Sequence, residues 1–171
     1  MKYNWQQKDW KQFSYDTNRL EEVIYEFSGK VGHSKGVLSV LTEEQHTQTL
    51  LDVLVSEAIK TSEIEGEYLS RKDVMSSVKK NIGVVYDTDA SRDVRAMGIA
   101  EMVVEVHKSY KASLTEDIIC EWHKMLFTKK TNIVIGQWRT HTEPMQIVSG
   151  TVGKETIHFE APPSVEVPKE M

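Results

Sequence analysis

The residues of this chain best placed by type and spacing to do chemistry are Thr61-Ser62-Glu63-Ile64-Glu65-Gly66, at the end of a helical run that begins near Thr42. A carboxylate at a helix end followed by glycine can be aimed at a cation with no bulky neighbour in the way. Thr61 stands one helical turn before Glu65 and shares its face. The same six residues also read as a helix C-terminus with solvated acids, and their spacing alone leaves both readings open. Glu57, Glu63 and Glu67 read as solvated charges.

Other chemistry finds little support. His33, His46, His107, His123, His141 and His158 show no metal-ligand spacing with Cys120 or with a nearby carboxylate pair. Cys120 lies beside Ile118 and Ile119, where a buried thiol is expected rather than a nucleophile. Gly29, Gly32 and Gly36 are too widely spaced for a phosphate loop, and no Lys-Ser/Thr follows in register. Trp5 and Trp10 are expected to anchor the N-terminal segment.

The elements that would position these residues are mainly helical. A helix is expected from about Asp16, with Leu20, Val23, Ile24 and Phe27 at helical spacing, Asn18 and Glu21 as a capping pair and Gly29 as its stop. Thr42 and Gln45 form a capping-box start for a second helix, whose stripe is Leu50, Leu51, Leu54, Val55, Ala58 and Ile59, with Gly66 as its end point. Ser70 and Asp73 open a third, closed by Gly83. After a linker over Tyr86 to Ser91, a long helix carries Val94, Met97, Met102 and Val106 to about Tyr110. Another starts at Thr115 and buries Ile118, Ile119, Trp122 and Leu126. The pattern then turns extended at Ile133-Val134-Ile135, Gln146-Ile147-Val148 and Thr156-Ile157-His158-Phe159, with a hairpin turn over Gly150 to Glu155. Pro162, Pro163 and Pro168 break regular structure. The expected fold is a bundle of about six helices followed by a C-terminal β-hairpin.

Composition sets the wider bounds. The 171 residues, 39% hydrophobic and 27% charged, suffice for a buried core and argue against global disorder. A net charge of −5 with scattered basic residues disfavours a nucleic-acid partner. No apolar run is long enough to span a bilayer, and the single cysteine suits a reducing compartment, so a cytoplasmic protein without a membrane partner is expected.

Taken in order, Asn4-Trp5, Asp9-Trp10, the Thr61 to Gly66 motif, the helix signal after it and Gly136-Gln137-Trp138-Arg139 resemble the N-terminal half of a Fic-family protein, from about Trp5 to Pro163. Fic enzymes transfer AMP from ATP to protein Ser, Thr or Tyr hydroxyls. The resemblance implies an incomplete Fic fold: residues 1–83 as a helical regulatory domain, and 84–171 as the first part of the catalytic domain. It implies that Thr61, Glu65 and Gly66 form the inhibitory Ser/Thr-x-x-x-Glu-Gly motif, Glu65 taking the arginine that would otherwise hold the ATP γ-phosphate. It implies a target-aligning flap at Ile147, Val148, Ile157 and Phe159, for which a purely structural hairpin is the other reading. Gly136, Trp138 and Arg139 match the Gly-x-x-Arg segment before the flap and are expected to pack and pair.

The catalytic motif of that family, His-x-Phe-x-Asp/Glu-Gly-Asn-Gly-Arg, does not occur here. No catalytic or metal residue is therefore assigned in this chain, and ATP and Mg²⁺ belong to a complete protein of which this chain is expected to be a fragment. The partners implied are ATP and a hydroxyl-bearing protein substrate, with an oligomer left open. The alternative is a stand-alone helical inhibitor acting in trans on a Fic partner.

Overall fold

The structure is a computed structural model that describes residues 2–84, 91–127 and 133–170. It is mainly helical, with a small antiparallel sheet near the C-terminus. The chain divides into two units, Gly32–Gln137 and the pair of segments Met1–Val31 and Trp138–Met171.

Helix α1 covers Glu21–Leu38 and α2 covers Glu43–Ile64. The capping box forms as the sequence predicts: Gln45 N–H donates to Thr42 Oγ1 at 3.2 Å, and Thr42 N–H donates to Gln45 Oε1 at 3.0 Å. Helix α3, Arg71–Asn81, starts at Ser70, whose hydroxyl accepts from Asp73 N–H. Helix α4, Val94–Ser109, is capped by Asp93, and α5, Glu116–Leu126, by Thr115. Each cap meets one of the donors that a helix start leaves unpaired.

The core of the Gly32–Gln137 unit forms where α4 packs on α2, α3 and α5. Leu51, Leu54, Val55 and Ala58 from α2 and Val74 and Val78 from α3 meet Ala96, Ile99, Ala100, Val103 and Val104 from α4. Burying a valine or leucine side chain contributes about 1.5–3 kcal/mol. Small residues let the helices close up: a Cβ on Gly98 would run into the Met125 carbonyl oxygen of α5.

Three sequence expectations need correction in the helices. Gly29 does not stop α1, which continues through Gly32 and Gly36. None of the three has positive φ, and glycine weakens a helix without breaking it. The turn before α1 is capped by Asp16, which accepts from Asn18 N–H at 3.1 Å, in place of an Asn18 and Glu21 pair. The α5 face of Ile118, Ile119 and Trp122 is only half buried and Leu126 is exposed; among the described elements α4 is the helix packed against α5. On α4 the inner face is the small-residue one, while Met97 and Val106 face outward.

In the other unit, β1 (Gln146–Ser149) pairs antiparallel with β2 (Thr156–Glu160) around the predicted turn. Ile147 opposes Phe159 and Val148 opposes Ile157, so His158 is an unopposed bulge residue. Trp5 anchors this hairpin: its indole N–H donates to the Glu160 carbonyl at 2.7 Å, and Tyr3 meets the Phe159 ring edge-on at 5.4 Å. Trp10 is half buried, with the Lys11 ammonium 5.7 Å from its ring. Ile133-Val134-Ile135 forms no strand; the chain bends there into the turn at Gly136. Past Pro163 the chain is helical rather than broken. A 3-10 turn, Ser164–Glu166, leads into the short α6, Val167–Glu170, whose Pro168 lies in a first turn that needs no N–H. The expected linker at 86–90 lies outside the described residues.

Two alanine substitutions should separate. Gly98→Ala overpacks α4 against α5 and should destabilise by about 1–3 kcal/mol. Gly29→Ala meets open space in a helix and should stabilise by roughly 0.5–1 kcal/mol. Urea unfolding followed by far-UV circular dichroism reads both. A Gly98→Ala protein as stable as the parent would contradict the close contact.

Candidate functional site

Helix α2 ends in a double backbone bond that exposes Glu65. Gly66 N–H donates to the Glu63 carbonyl at 3.1 Å and Glu67 N–H to the Ser62 carbonyl at 2.8 Å, the pairing of a Schellman ending. Gly66 makes this possible with φ +80, a conformation in which a Cβ would be strained. The inner stripe of α2 runs through Val55, Ala58 and Ser62, whose hydroxyl donates back to the Ala58 carbonyl at 2.7 Å. By helical spacing Glu65 continues that stripe beyond the core, where it is exposed.

The acids around it are occupied. Lys60 donates to Glu63 at 2.7 Å. Arg95 donates to Glu67 at 2.6 Å and also bonds Asp93 at 3.3 Å. Glu57 accepts from the Thr61 hydroxyl at 3.5 Å. These three carboxylates are exposed or half buried, as solvated charges are, and each has a partner among the described residues. Among the described residues, Glu65 has no hydrogen-bond or ion-pair partner for its carboxylate. Thr61 lies on its side of the helix, and the Thr61 carbonyl accepts the Glu65 N–H at 3.4 Å.

Arg95 is the residue that sequence reasoning missed. It ties the start of α4 to the segment just after Gly66 across 28 positions of sequence, and no local pattern announces such a pair. Asp93 both caps α4 and holds this arginine. Partial burial pushes its carboxyl up, but hydrogen bonds and charge from Arg95 outweigh this and hold it below its ordinary value of 3.8.

The hairpin residues are available to a partner. Ile147, Val148 and Ile157 are at least 48% exposed, and among the described residues the sheet has two strands, so each keeps one edge unpaired by any described strand. Phe159 is half buried against Tyr3. Ser149 Oγ and His158 Nε2 lie 2.6 Å apart across the strands, a bond the sequence did not suggest. No third group orients the pair, so it reads as a lock on the bulge. Gly136 has φ +68 and donates its N–H to His123 Nδ1 at 2.8 Å, which places the proton of a neutral His123 on Nε2. The Lys124 side chain fills the space a Cβ on Gly136 would need. Trp138 is half buried and its indole nitrogen has no hydrogen-bond partner among the described residues, and the Arg139 guanidinium donates to the Pro162 carbonyl.

Among the described residues, no group of three or more His, Cys, Asp or Glu side chains could hold a metal ion, and no helix is long and apolar enough to cross a membrane. Cys120 is free and half buried on α5. Residues 3–84 match a family model described as a domain of unknown function, DUF4172. This stretch holds α1 to α3 and includes the Glu65 ending. None of the curated proteins matches the chain.

The Asp93 cap gives a pH test. Because its carboxyl is held below the ordinary value in the folded protein, its contribution is present above about pH 4 and is lost as pH falls through the folded value. Asp93→Ala should cost about 1 kcal/mol at pH 7, the usual worth of such a cap. The gap between variant and parent should close in acid. A gap that stays constant throughout the acid range below the ordinary carboxylate value would contradict the assigned role.

Proposed function

We propose that this chain is the regulatory and target-aligning portion of an autoinhibited, cytoplasmic Fic-type protein adenylyltransferase. The observation that carries this reading is Glu65, an acid without a partner among the described residues, held at an exposed helix end by a glycine ending in a neighbourhood where every other motif acid is paired. A carboxylate so held suits capture of an arginine that would otherwise hold the γ-phosphate of ATP, leaving the nucleotide in an unproductive pose. Thr61 steadies the same helical turn. The chain itself contains no His-x-Phe catalytic segment, so ATP and Mg²⁺ are assigned to a catalytic segment and not to any residue described here.

The hairpin supports the other half of the reading. An exposed two-stranded ribbon with free edges can align an extended target segment by strand addition, with main-chain bonds supplying affinity and side chains such as Ile157 supplying choice. Trp5 and Tyr3 meet the hairpin on β2, at Glu160 and Phe159, which leaves the outer edge of β1, at Ile147 and Val148, for the target.

Both halves are testable on the protein as its host makes it, using labelled ATP. Glu65→Gly should raise self-labelling roughly 10- to 100-fold, the worth of a charge-assisted bond of about 1.5–3 kcal/mol. Unchanged labelling would remove the inhibitory role. Ile157→Pro should lower labelling of a target protein more than self-labelling, since a proline in β2 can offer no N–H to an added strand. Equal loss of both would mean the hairpin is only structural.

A further inference from the structure

Helix α1 is amphipathic, yet none of its 18 residues is buried. Ile24 is 58% exposed and Phe27 66%, and Leu20 and Leu38 are also open. An isolated helix of this length carrying three glycines is marginal in water, so a continuous Glu21–Leu38 helix calls for a cover over its apolar face. The spacing of that face is specific. Leu20, Ile24, Phe27, Val31 and Leu38, with Ser34 between the last two, recur at alternating steps of four and three, the seam of a two-stranded coiled coil. Val23 and Val37, both at least half exposed, flank the seam on one side. Gly29, Gly32 and Gly36 fall outside it.

The charges on α1 select the occupant. Its first half carries Glu21, Glu22 and Glu26, and its second half Lys30, His33 and Lys35. We propose that α1 pairs antiparallel with α1 of a second copy of this chain. Pairing about a two-fold axis at residue 29 stacks Leu20 on Leu38, Ile24 on Ser34 and Phe27 on Val31 of the second copy, and repeats each layer by symmetry. The flanking positions then place Glu21 beside Lys35 of the second copy at both ends, and Val23 beside Val37. Lys30 meets its own copy at the centre, where Glu26 of its own helix neutralises it at 2.6 Å. A parallel pair would instead set Lys30 against Lys35 on both sides of the seam. The helix dipoles also oppose favourably only in the antiparallel arrangement. From Leu20, the residue just before α1, to Leu38 the seam covers 18 rises of about 1.5 Å, roughly 27 Å.

Sedimentation equilibrium of the 171-residue chain tests this, with a dimer expected at twice the 19.6 kDa chain mass. Glu21→Lys should weaken the dimer roughly tenfold, because it turns two attractive flanking pairs into two repulsive ones. Lys35→Glu should do the same. The double variant restores both pairs in reversed sense and should return to within about threefold of the parent. Both residues are exposed on α1, so the swaps leave the core untouched. A chain that stays monomeric up to about a millimolar overturns the proposal, as does a dimer indifferent to the single swaps or one that the double variant fails to restore.

Discussion

The close approach of α4 to its neighbours is the constraint on which the Gly32–Gln137 unit depends. Ala96, Gly98 and Ala100 present almost no side chain, so α2, α3 and α5 can all reach the backbone of one central helix. Larger side chains there would push the helices apart and cost the dispersion contacts of Val55, Val74 and Val78 together. With α4 fixed, the inward stripe of α2 is fixed too, and so is the point at which that stripe leaves the core. Ser62 is the last residue of α2 under cover, and Glu65 comes one turn later in the open.

The same packing explains why one acid is free among several. Arg95 begins α4 and reaches Glu67 just beyond the Schellman turn, so the cap of α4 and the end of α2 are joined through Asp93, Arg95 and Glu67. That link uses the acid after Gly66 and leaves the acid before it unused. Exposed ion pairs of this kind add little stability, about 0–1 kcal/mol, so their effect here is on direction more than on strength. The turn at Gly66 and the arginine beyond it determine where the chain goes; Glu65 is what that path leaves facing solvent.

Features set by near neighbours were legible in the sequence. Thr42 with Gln45, Ser70 with Asp73, Thr115 before Ile118, and the glycines at 66 and 83 all act within one turn of helix, and each forms as expected. The hairpin was legible because its turn and both strands are contiguous. What depended on distant residues was not. Ile133-Val134-Ile135 has strand propensity, but the chain bends there into the turn at Gly136. Gly29 looked like a stop, but its φ is not positive and the helix continues through it. The inner face of α4 escaped notice because its residues are small, and apolar periodicity draws attention to Met97 and Val106, which face outward. For the candidate site, Glu65 and Gly66 could be picked out by type and spacing. Their distinction from Glu63 and Glu67 rests on Lys60 and Arg95, and the second of these lies far away in sequence.

The account turns on a free carboxylate waiting for an arginine supplied by a catalytic segment. Its most direct test is the intact mass and peptide sequence of the protein purified from its host. The account predicts a product heavier than the 19.6 kDa of this chain, with additional peptides that include a His-x-Phe-x-Asp/Glu-Gly-Asn-Gly-Arg segment. A product of 19.6 kDa with no protein bearing that segment bound to it would contradict the account, since Glu65 would then have no arginine to meet.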